Sequence, residues 1–98
     1  MNLVRRHRMT KDSAKEWVEE QLPDLLNQFS NSVQGAQHYW EGDVMHFSFA
    51  VKIAGRFQGT LRVTDTDYVM DVPFGFVRRI LEGKARAAIE RWLDENLV

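Results

Sequence analysis

The stretch of residues 40–65, WEGDVMHFSFAVKIAGRFQGTLRVTD, constrains the fold of this chain more than any other. Apolar and polar residues alternate there in two runs, and glycines bound each run. Successive side chains of a strand point to opposite faces of a sheet, so the alternation indicates two half-buried strands. Met45, Phe47 and Phe49 hold odd positions in the first run, which predicts that the odd positions face the core.

The loop between these two strands must hold an odd number of residues. A two-residue loop of Ala54-Gly55 would set Arg56 opposite Ile53 and put charges on the core face. A three-residue loop over 53–55, with Gly55 in the left-handed conformation, keeps both apolar sets on one face. The predicted cross-strand pairs are Val51–Phe57, Phe49–Gly59, Phe47–Leu61 and Met45–Val63, with His46–Arg62 and Ser48–Thr60 on the outer face.

A further strand is predicted on each side of this pair. Residues 35–40 precede it, and a two-residue turn at Gly42-Asp43 would place Trp40, His38 and Ala36 on the core side. A three-residue loop would reverse their facing. After a turn at residues 65–66, the same alternation puts three apolar residues on the core face: Tyr68, Met70 and Val72.

Two helices flank these strands. Thr10 is predicted as the N-cap of the first, whose apolar face holds Ala14, Trp17, Val18, Leu22, Leu25, Leu26 and Phe29. Because this pattern continues past Pro23, we expect one kinked helix rather than two. Pro73 is predicted in the first turn of the second helix, whose apolar stripe is Val77, Ile80, Leu81, Ala85, Ala88, Ile89, Trp92, Leu93 and Leu97.

The resulting fold class is α+β, in a single domain of residues 1–98. An antiparallel four-stranded sheet is expected to carry a kinked N-terminal helix and a long C-terminal helix on one face. Residues 2–8 are either a fifth strand or a frayed basic arm. Gly83 interrupts the second helix, and close approach of that helix to the Phe-rich strands would explain it. Glu82 and Arg86 are spaced as an i,i+4 ion pair.

Composition excludes several classes of function. The chain has no cysteine, so disulfides, thiolate nucleophiles and zinc–thiolate sites are excluded. Its formal charge of −1 argues against nucleic-acid or membrane binding driven by net charge, despite the basic run of Arg5, Arg6, His7, Arg8 and Lys11. No signal peptide and no run long enough for a membrane span are present, which predicts a cytoplasmic location.

Four segments in order, HRMTKDSAKEWVEE, YWEGDVMHFSF, FQGTLRVTD and VPFGFVRRILEGKARAAIERWL, cover nearly the whole chain. In this order they resemble the polyhydroxyalkanoic acid system family, small bacterial proteins encoded near polyester-granule genes; Pro23 departs from that family's pattern. The resemblance implies association with polyhydroxyalkanoate metabolism or granules, and it implies no catalytic residues. The layout of strands and a long helix also looks like a reduced helix-grip domain, which is an analogy of fold alone.

The polar residues suggest three kinds of site. His46 and Arg62 would form a small anion site on the outer sheet face, against the alternative of ordinary polar surface pairs. The three histidines match no metal-ligand spacing, so no metal or other cofactor is expected. No motif for nucleophilic, nucleotide or paired-carboxylate chemistry is present, and an enzyme is not expected.

The apolar residues give a fourth kind of site. They are either plain core or the wall of an apolar cavity or contact surface: Met45, Phe47, Phe49, Leu61, Tyr68, Met70, Phe74, Phe76 and Trp92. The first hypothesis is a non-enzymatic accessory protein that contacts a polyester granule, a lipid or a protein partner. The second is a small apolar-ligand module with a cavity between sheet and C-terminal helix. A homo-oligomer built through sheet faces or edges is the third.

Overall fold

The computed structural model describes residues 1–52, 54–73 and 79–97. It is an α+β fold in which five strands form one antiparallel sheet and two helices accompany it. The elements in chain order are β1 (Asn2–Arg6), α1 (Lys11–Gln28), β2 (Val33–Glu41), β3 (Val44–Val51), β4 (Gly55–Val63), β5 (Asp67–Asp71) and α2 (Arg79–Asn96).

The strand order across the sheet is β1-β5-β4-β3-β2. Residues 2–8 therefore contain the fifth strand and are not a frayed arm, because β1 pairs with β5 along its whole length. The side chains of this segment alternate between the two faces, since Leu3 and His7 are buried whereas Val4 is 58% exposed. The first and last strands of the chain thus meet, and the edge strands are β1 and β2.

The turn between β2 and β3 is the predicted two-residue turn. Glu41 pairs with Val44 across Gly42-Asp43, and Gly42 has a φ of 60°, which favours glycine. Trp40 lies opposite Met45, so its predicted core facing is confirmed. The register of the two strands shifts between residues 34 and 37, where β2 is irregular.

The predicted register of β3 against β4 is wrong by two residues. Val51 pairs with Gly55, which makes residues 52–54 the loop, and Gly55 keeps the predicted left-handed conformation with a φ of 86°. The loop has an odd number of residues, as the alternation of the two strands requires. Parity alone cannot distinguish two registers that differ by two residues, because both keep every side chain on the same face.

This shift changes every predicted pair. The observed pairs on the core face are Val51–Gly55, Phe49–Phe57, Phe47–Gly59 and Met45–Leu61, and on the outer face they are His46–Thr60 and Ser48–Gln58.

One row of side chains crosses all five strands on the core face. Its members, in order across the sheet, are Trp40, Met45, Leu61, Met70 and Leu3. Both helices pack on this face: α1 adds side chains to the cluster around Met45 and Leu61, and α2 adds side chains to the cluster around Leu3. The predicted arrangement of two helices on one face is confirmed.

Helix α1 begins as predicted. The Thr10 Oγ1 accepts a hydrogen bond from the Ser13 backbone N–H at 3.1 Å. The helix continues through Pro23 to Gln28, which confirms one helix rather than two. The kink at Pro23 stays a prediction.

Helix α2 differs from the predictions in two details. Gly83 is exposed, and no described atom outside its own turn lies within 4 Å of where a Cβ would be, so close packing does not explain this glycine. Glu82 contacts the Met1 ammonium at 3.0 Å, while Arg86 contacts Glu90 at 3.8 Å, in place of the predicted Glu82–Arg86 pair. The predicted helix start at Pro73 adjoins residues 74–78, which lie outside the described residues.

Candidate functional site

An apolar cavity of about 120 Å³, partly open to solvent, lies between the sheet and the two helices. Its lining comes from both layers of the fold. The lining residues are Leu3, Arg5, Trp17, Val18, Gln21, Leu22, Leu25, Met45, Leu61, Tyr68, Met70, Ile89, Trp92 and Leu93.

The floor of the cavity is the core-face row of the sheet. Leu3, Met70 and Leu61 follow one another in register on β1, β5 and β4, and Met45 continues the row on β3. The cavity is therefore positioned by sheet register, since a slip of one residue would replace these side chains with the polar ones of the outer face.

The roof of the cavity is the contact between the helices. Trp17 of α1 and Trp92 of α2 have ring centroids 5.6 Å apart, with the planes tilted by 53°. Leu25 and Ile89 also pack against the cluster that contains Trp92. Two aromatic rings in contact hold the helices together at this point while the space below them is left unfilled.

The hydroxyl group of Tyr68, a lining residue, already has a hydrogen-bond partner. The Tyr68 hydroxyl is buried and donates a hydrogen bond to the Ala14 carbonyl at 2.8 Å. Burial raises the pKa of Tyr68 to about 12, so the phenol is neutral and is not a catalytic base.

His7 is a buried polar residue that the sequence did not single out for the core. Its Nδ1 accepts the Met9 backbone N–H at 3.2 Å, so Nε2 carries the proton and donates it to the Thr64 carbonyl at 2.9 Å. Its ring lies 5.1 Å from that of Tyr68. His7 is thus a neutral, fully bonded core histidine and has no lone pair free for a ligand.

Trp92 differs from these groups. Its Nε1 is buried and has no hydrogen-bond partner in the described part of the chain. By contrast, the Nε1–H of Trp40 donates to Glu19 Oε1 at 2.5 Å. The Trp92 indole N–H is therefore an unpaired donor that is enclosed by packed atoms.

The polar residues of the lining are few. Arg5 forms an ion pair with Asp94 of α2, and both side chains are partly exposed. Gln21 is half-buried on α1. The charge of Arg5 is thus already balanced, and the remaining surface of the cavity is almost wholly apolar.

The predicted apolar site is brought together only in part. Met45, Leu61 and Met70 line the cavity as expected, whereas Phe47 and Phe49 do not. Those two rings stack along β3 with centroids 6.1 Å apart, and Phe49 stacks on Phe57 at 5.6 Å. Phe47 and Phe49 therefore lie outside the wall of this cavity, which was the alternative to plain core for these two residues. The residues Phe74 and Phe76 lie outside the described residues.

Sequence reasoning missed the part of the lining that the helices supply. Trp17, Leu25 and Ile89 were placed on apolar stripes but were assigned to no site. The apolar stripes did indicate which helix residues face the sheet, because both helices pack on the same side of it. What the sequence lacks is the distance between the helices, which decides whether the stripes meet or leave a space.

The predicted anion pair on the outer sheet face is also corrected. His46 lies opposite Thr60, while Arg62 lies opposite Val44, one row away and on the same face. His46 stacks on Tyr39, with centroids 4.9 Å apart, and its Nε2 is 3.3 Å from Glu41. A carboxylate beside His46 disfavours a second anion there.

The outer face also forms a larger concavity of about 780 Å³. Polar and apolar surface are equally represented in it, and the exposed residues of its lining include Gln37, Tyr39, Gln58 and Asp71. Ligand sites in proteins are lined predominantly by apolar side chains, so the smaller apolar cavity is the better candidate despite its size.

The histidines do not converge. His38 Nε2 is 2.8 Å from Glu19, on the helix side of the sheet, whereas His46 lies on the outer face and His7 in the core. Within residues 1–52, 54–73 and 79–97, no three ligating side chains of the His, Cys, Asp or Glu type are grouped so as to hold a metal ion.

Comparison with known proteins gives one match. A family model described as "putative polyhydroxyalkanoic acid system protein" matches residues 1–97. No curated protein and no solved structure matches the chain. Among the described helices, none has the length and apolar character needed to cross a membrane.

Proposed function

Since the chain belongs to the polyhydroxyalkanoic acid system family, we propose that it is a non-enzymatic accessory protein of that system and acts by binding a small apolar molecule. The observation that carries this proposal is the apolar cavity between sheet and helices. It favours the ligand-binding form of an accessory role over a form that depends on surface contact alone.

The size and lining of the cavity fit such a ligand. An engineered apolar cavity of about 150 Å³ in another protein stays dry and binds benzene. The cavity here is of similar volume, at about 120 Å³, and its walls are Leu, Met, Val, Ile and Trp side chains. An apolar guest would restore the contacts that the lining residues lack on one side.

The residues around the cavity support binding rather than catalysis. The titratable side chains of the lining are Arg5 and Tyr68. Arg5 is ion-paired with Asp94, and the Tyr68 hydroxyl donates to a backbone carbonyl. A general base needs an accessible lone pair near its substrate, and neither group supplies one.

Contact with a polyester granule, a lipid or a partner protein is compatible with this role. A protein that holds a short piece of an apolar chain would act at the surface of such material. The residues Phe74 and Phe76 remain the predicted contact patch for this step.

Native mass spectrometry and calorimetry test the proposal together. Freshly purified protein is expected to carry a small apolar adduct, and the protein freed of adduct is expected to bind benzene in calorimetry. Leu25→Trp replaces a leucine side chain of the lining by the larger indole ring. This ring should fill the cavity and abolish binding.

The matched control is Leu26→Trp, which makes the same change at the next residue, an exposed position outside the lining. It should bind as the unmodified protein does. Absence of both an adduct and benzene binding in the unmodified protein would remove the proposed function.

A further inference from the structure

We propose that a second copy of this chain pairs with the edge strand β2, antiparallel and about a twofold axis at Tyr39, so that the two sheets become one continuous sheet. The proposal goes beyond the ligand-binding role and does not depend on the cavity, because it concerns an edge of the sheet.

The hydrogen bonds of the sheet decide which backbone groups of β2 point away from it. Glu41 and Val44 flank a two-residue turn, so they are a hydrogen-bonded pair and the N–H and C=O groups of Glu41 point to β3. On the other side of β3, the Val63 N–H donates to the Asp43 carbonyl at 2.9 Å, which fits the same alternation. Counted back from Glu41, every second residue of β2 points to β3, and the residues between them point outward.

His38 and Trp40 are the outward residues of this part of β2. Within the described ranges of the chain, their backbone N–H and C=O groups have no hydrogen-bond partner. With the axis at Tyr39, His38 of one copy lies opposite the partner's Trp40, and the two residues exchange two hydrogen bonds. The axis repeats this pair, so all the outward groups of both residues are bonded.

Neighbouring positions of the axis do not achieve this. An axis at His38 would set Trp40 opposite the partner's Ala36, which lies where the register of β2 shifts. An axis at Trp40 would set His38 opposite the partner's Gly42, which belongs to the turn. The regular part of β2 therefore favours the axis at Tyr39.

The side chains of the outer face are complementary in this register. Tyr39 meets the partner's Tyr39, and Gln37 meets the partner's Glu41, as pairs whose Cα atoms are about 4.5 Å apart. Tyr39 is 59% exposed in the single chain, so the pairing covers a large exposed ring. The Gln37 amide then donates to a carboxylate, and hydrogen bonds to ionised acceptors are the stronger ones.

The two edges of the sheet differ in their protection against such pairing. β1 is five residues long, and Arg86 of α2 donates to its Asn2 carbonyl at 2.5 Å. Residues 37–41 of β2 contain no lysine, arginine or proline, and such residues commonly keep an edge strand from pairing. β2 is therefore the edge that is open to a second copy.

Helix α1 leaves room for that copy. Ala14 and Val18 pack on side chains of β3, β4 and β5, so α1 lies over β3 or further from the edge. At a strand spacing of about 4.8 Å, its axis is then about 7 Å or more from the twofold axis. The two copies of α1 lie at least about 14 Å apart, beyond the roughly 8–10 Å of packed helices.

Sedimentation equilibrium of the whole chain measures the dimer dissociation constant, and substitutions of Gln37 test the register. Gln37→Lys sets a cation opposite the partner's Glu41, and the constant is expected to fall about three- to tenfold, because each dimer contains the pair twice. Gln37→Glu sets two carboxylates opposite each other and should raise the constant by a similar factor. Within one copy, residues 37 and 41 are about 13 Å apart along the strand, so neither change creates this contact in the monomer.

A charge swap and a matched control complete the test. Gln37→Glu combined with Glu41→Lys restores opposite charges and should bring the dissociation constant close to that of the unmodified protein. Gln34→Lys and Gln34→Glu make the same changes at an exposed residue of β2 outside residues 37–41, and they should leave the constant unchanged.

Amide hydrogen exchange of the unmodified protein gives a second readout. The His38 and Trp40 amides should become protected as the protein concentration rises. The Val4 amide should not, because it points outward on β1, where the alternate residues bond to β5.

Three results would overturn the proposal. The first is a monomer at every concentration at which the protein stays soluble. The second is a dimer whose dissociation constant ignores the charge at Gln37, or in which His38 and Trp40 stay unprotected. The third is an assembly that keeps growing with concentration, because it would pair β2 with the β1 edge of the next copy in an open array.

Discussion

At the residue scale, two glycines of this chain have opposite roles. Gly59 lies where the sheet is most crowded, because a Cβ there would be 2.7 Å from Phe47 Cζ and 2.8 Å from the Asp71 carbonyl oxygen. Gly83 faces open space in the second helix. The sequence indicated that a phenylalanine lies opposite Gly59, but it named Phe49 in place of Phe47. It also predicted a close approach at Gly83, whereas the structure shows one at Gly59.

Gly59→Ala is expected to destabilise the fold by about 1–3 kcal/mol, because the added methyl group overlaps both the Phe47 ring and the backbone of the neighbouring strand. Urea denaturation at neutral pH measures the change. A free energy of unfolding within about 0.5 kcal/mol of the unmodified protein, the usual range for changes away from the core, would contradict the register that pairs Phe47 with Gly59.

Gly83→Ala is expected to stabilise the fold by about 1 kcal/mol, since alanine favours the helix and meets no described atom within 4 Å. The same denaturation experiment reports it. Loss of stability would show that something packs at this position after all.

At the element scale, the alternation of the strands specified which face each residue takes in β3, β4 and β5. For β2 the alternation was not sufficient, because the length of the turn at Gly42-Asp43 decided its facing. It was also not sufficient for the register of β3 against β4, since two registers separated by two residues satisfy it equally. The distance between α1 and α2 also could not be predicted from the sequence. That distance decides whether Trp17, Leu25, Ile89 and Trp92 fill the space over the sheet or leave a cavity.

Glu19 joins α1 to the edge strand β2. Its Oε1 accepts hydrogen bonds from Trp40 Nε1 at 2.5 Å and is 2.8 Å from His38 Nε2. The Trp40 indole, more than the His38 ring, holds the pKa of Glu19 below its ordinary value, against the opposing effect of partial burial.

A carboxylate whose pKa is lowered in the folded state stabilises the fold above its unfolded pKa of about 4.3, and this contribution is lost as the pH falls through the folded value. Glu19→Gln should therefore flatten the decline in stability below about pH 5. At pH 7 we expect a loss below about 1 kcal/mol, because the side chain is half exposed to solvent.

Urea denaturation from acid to neutral pH tests this, with Glu20→Gln as the matched control at the exposed neighbouring position. An unchanged acid slope in Glu19→Gln, or the same flattening in Glu20→Gln, would argue against an anchoring role for Glu19.

At the scale of the whole molecule, the proposed function rests on the family assignment and on the cavity. Membership of the family links the chain to the polyhydroxyalkanoic acid system, and the cavity is the place where we propose that a small apolar molecule binds. The order of the four sequence segments was sufficient to predict the family. The cavity could not be predicted in the same way, because it depends on how two helices pack on the sheet and no single segment of the chain encodes that packing.

Granule contact belongs to the same scale. Phe74→Ser combined with Phe76→Ser is expected to weaken binding of the purified protein to polyester particles at least severalfold, because two aromatic anchors are lost. Co-sedimentation with the particles at several salt concentrations measures it. Leu26→Ser, an exposed apolar position on α1, is the control. Equal sedimentation of all variants would eliminate Phe74 and Phe76 as the contact, and no sedimentation of the unmodified protein would remove granule contact altogether.

The central claim is that the space between Met45, Leu61, Met70 and the two helices binds a small apolar molecule. Methyl resonances of the four methionines test it most directly, because Met45 and Met70 line the cavity whereas Met1 and Met9 do not. Titration with methyl propanoate should shift the Met45 and Met70 signals along one saturating curve and leave those of Met1 and Met9 in place. Unmoved Met45 and Met70 signals up to the solubility limit of the ester, or equal shifts at all four methionines, would contradict the claim.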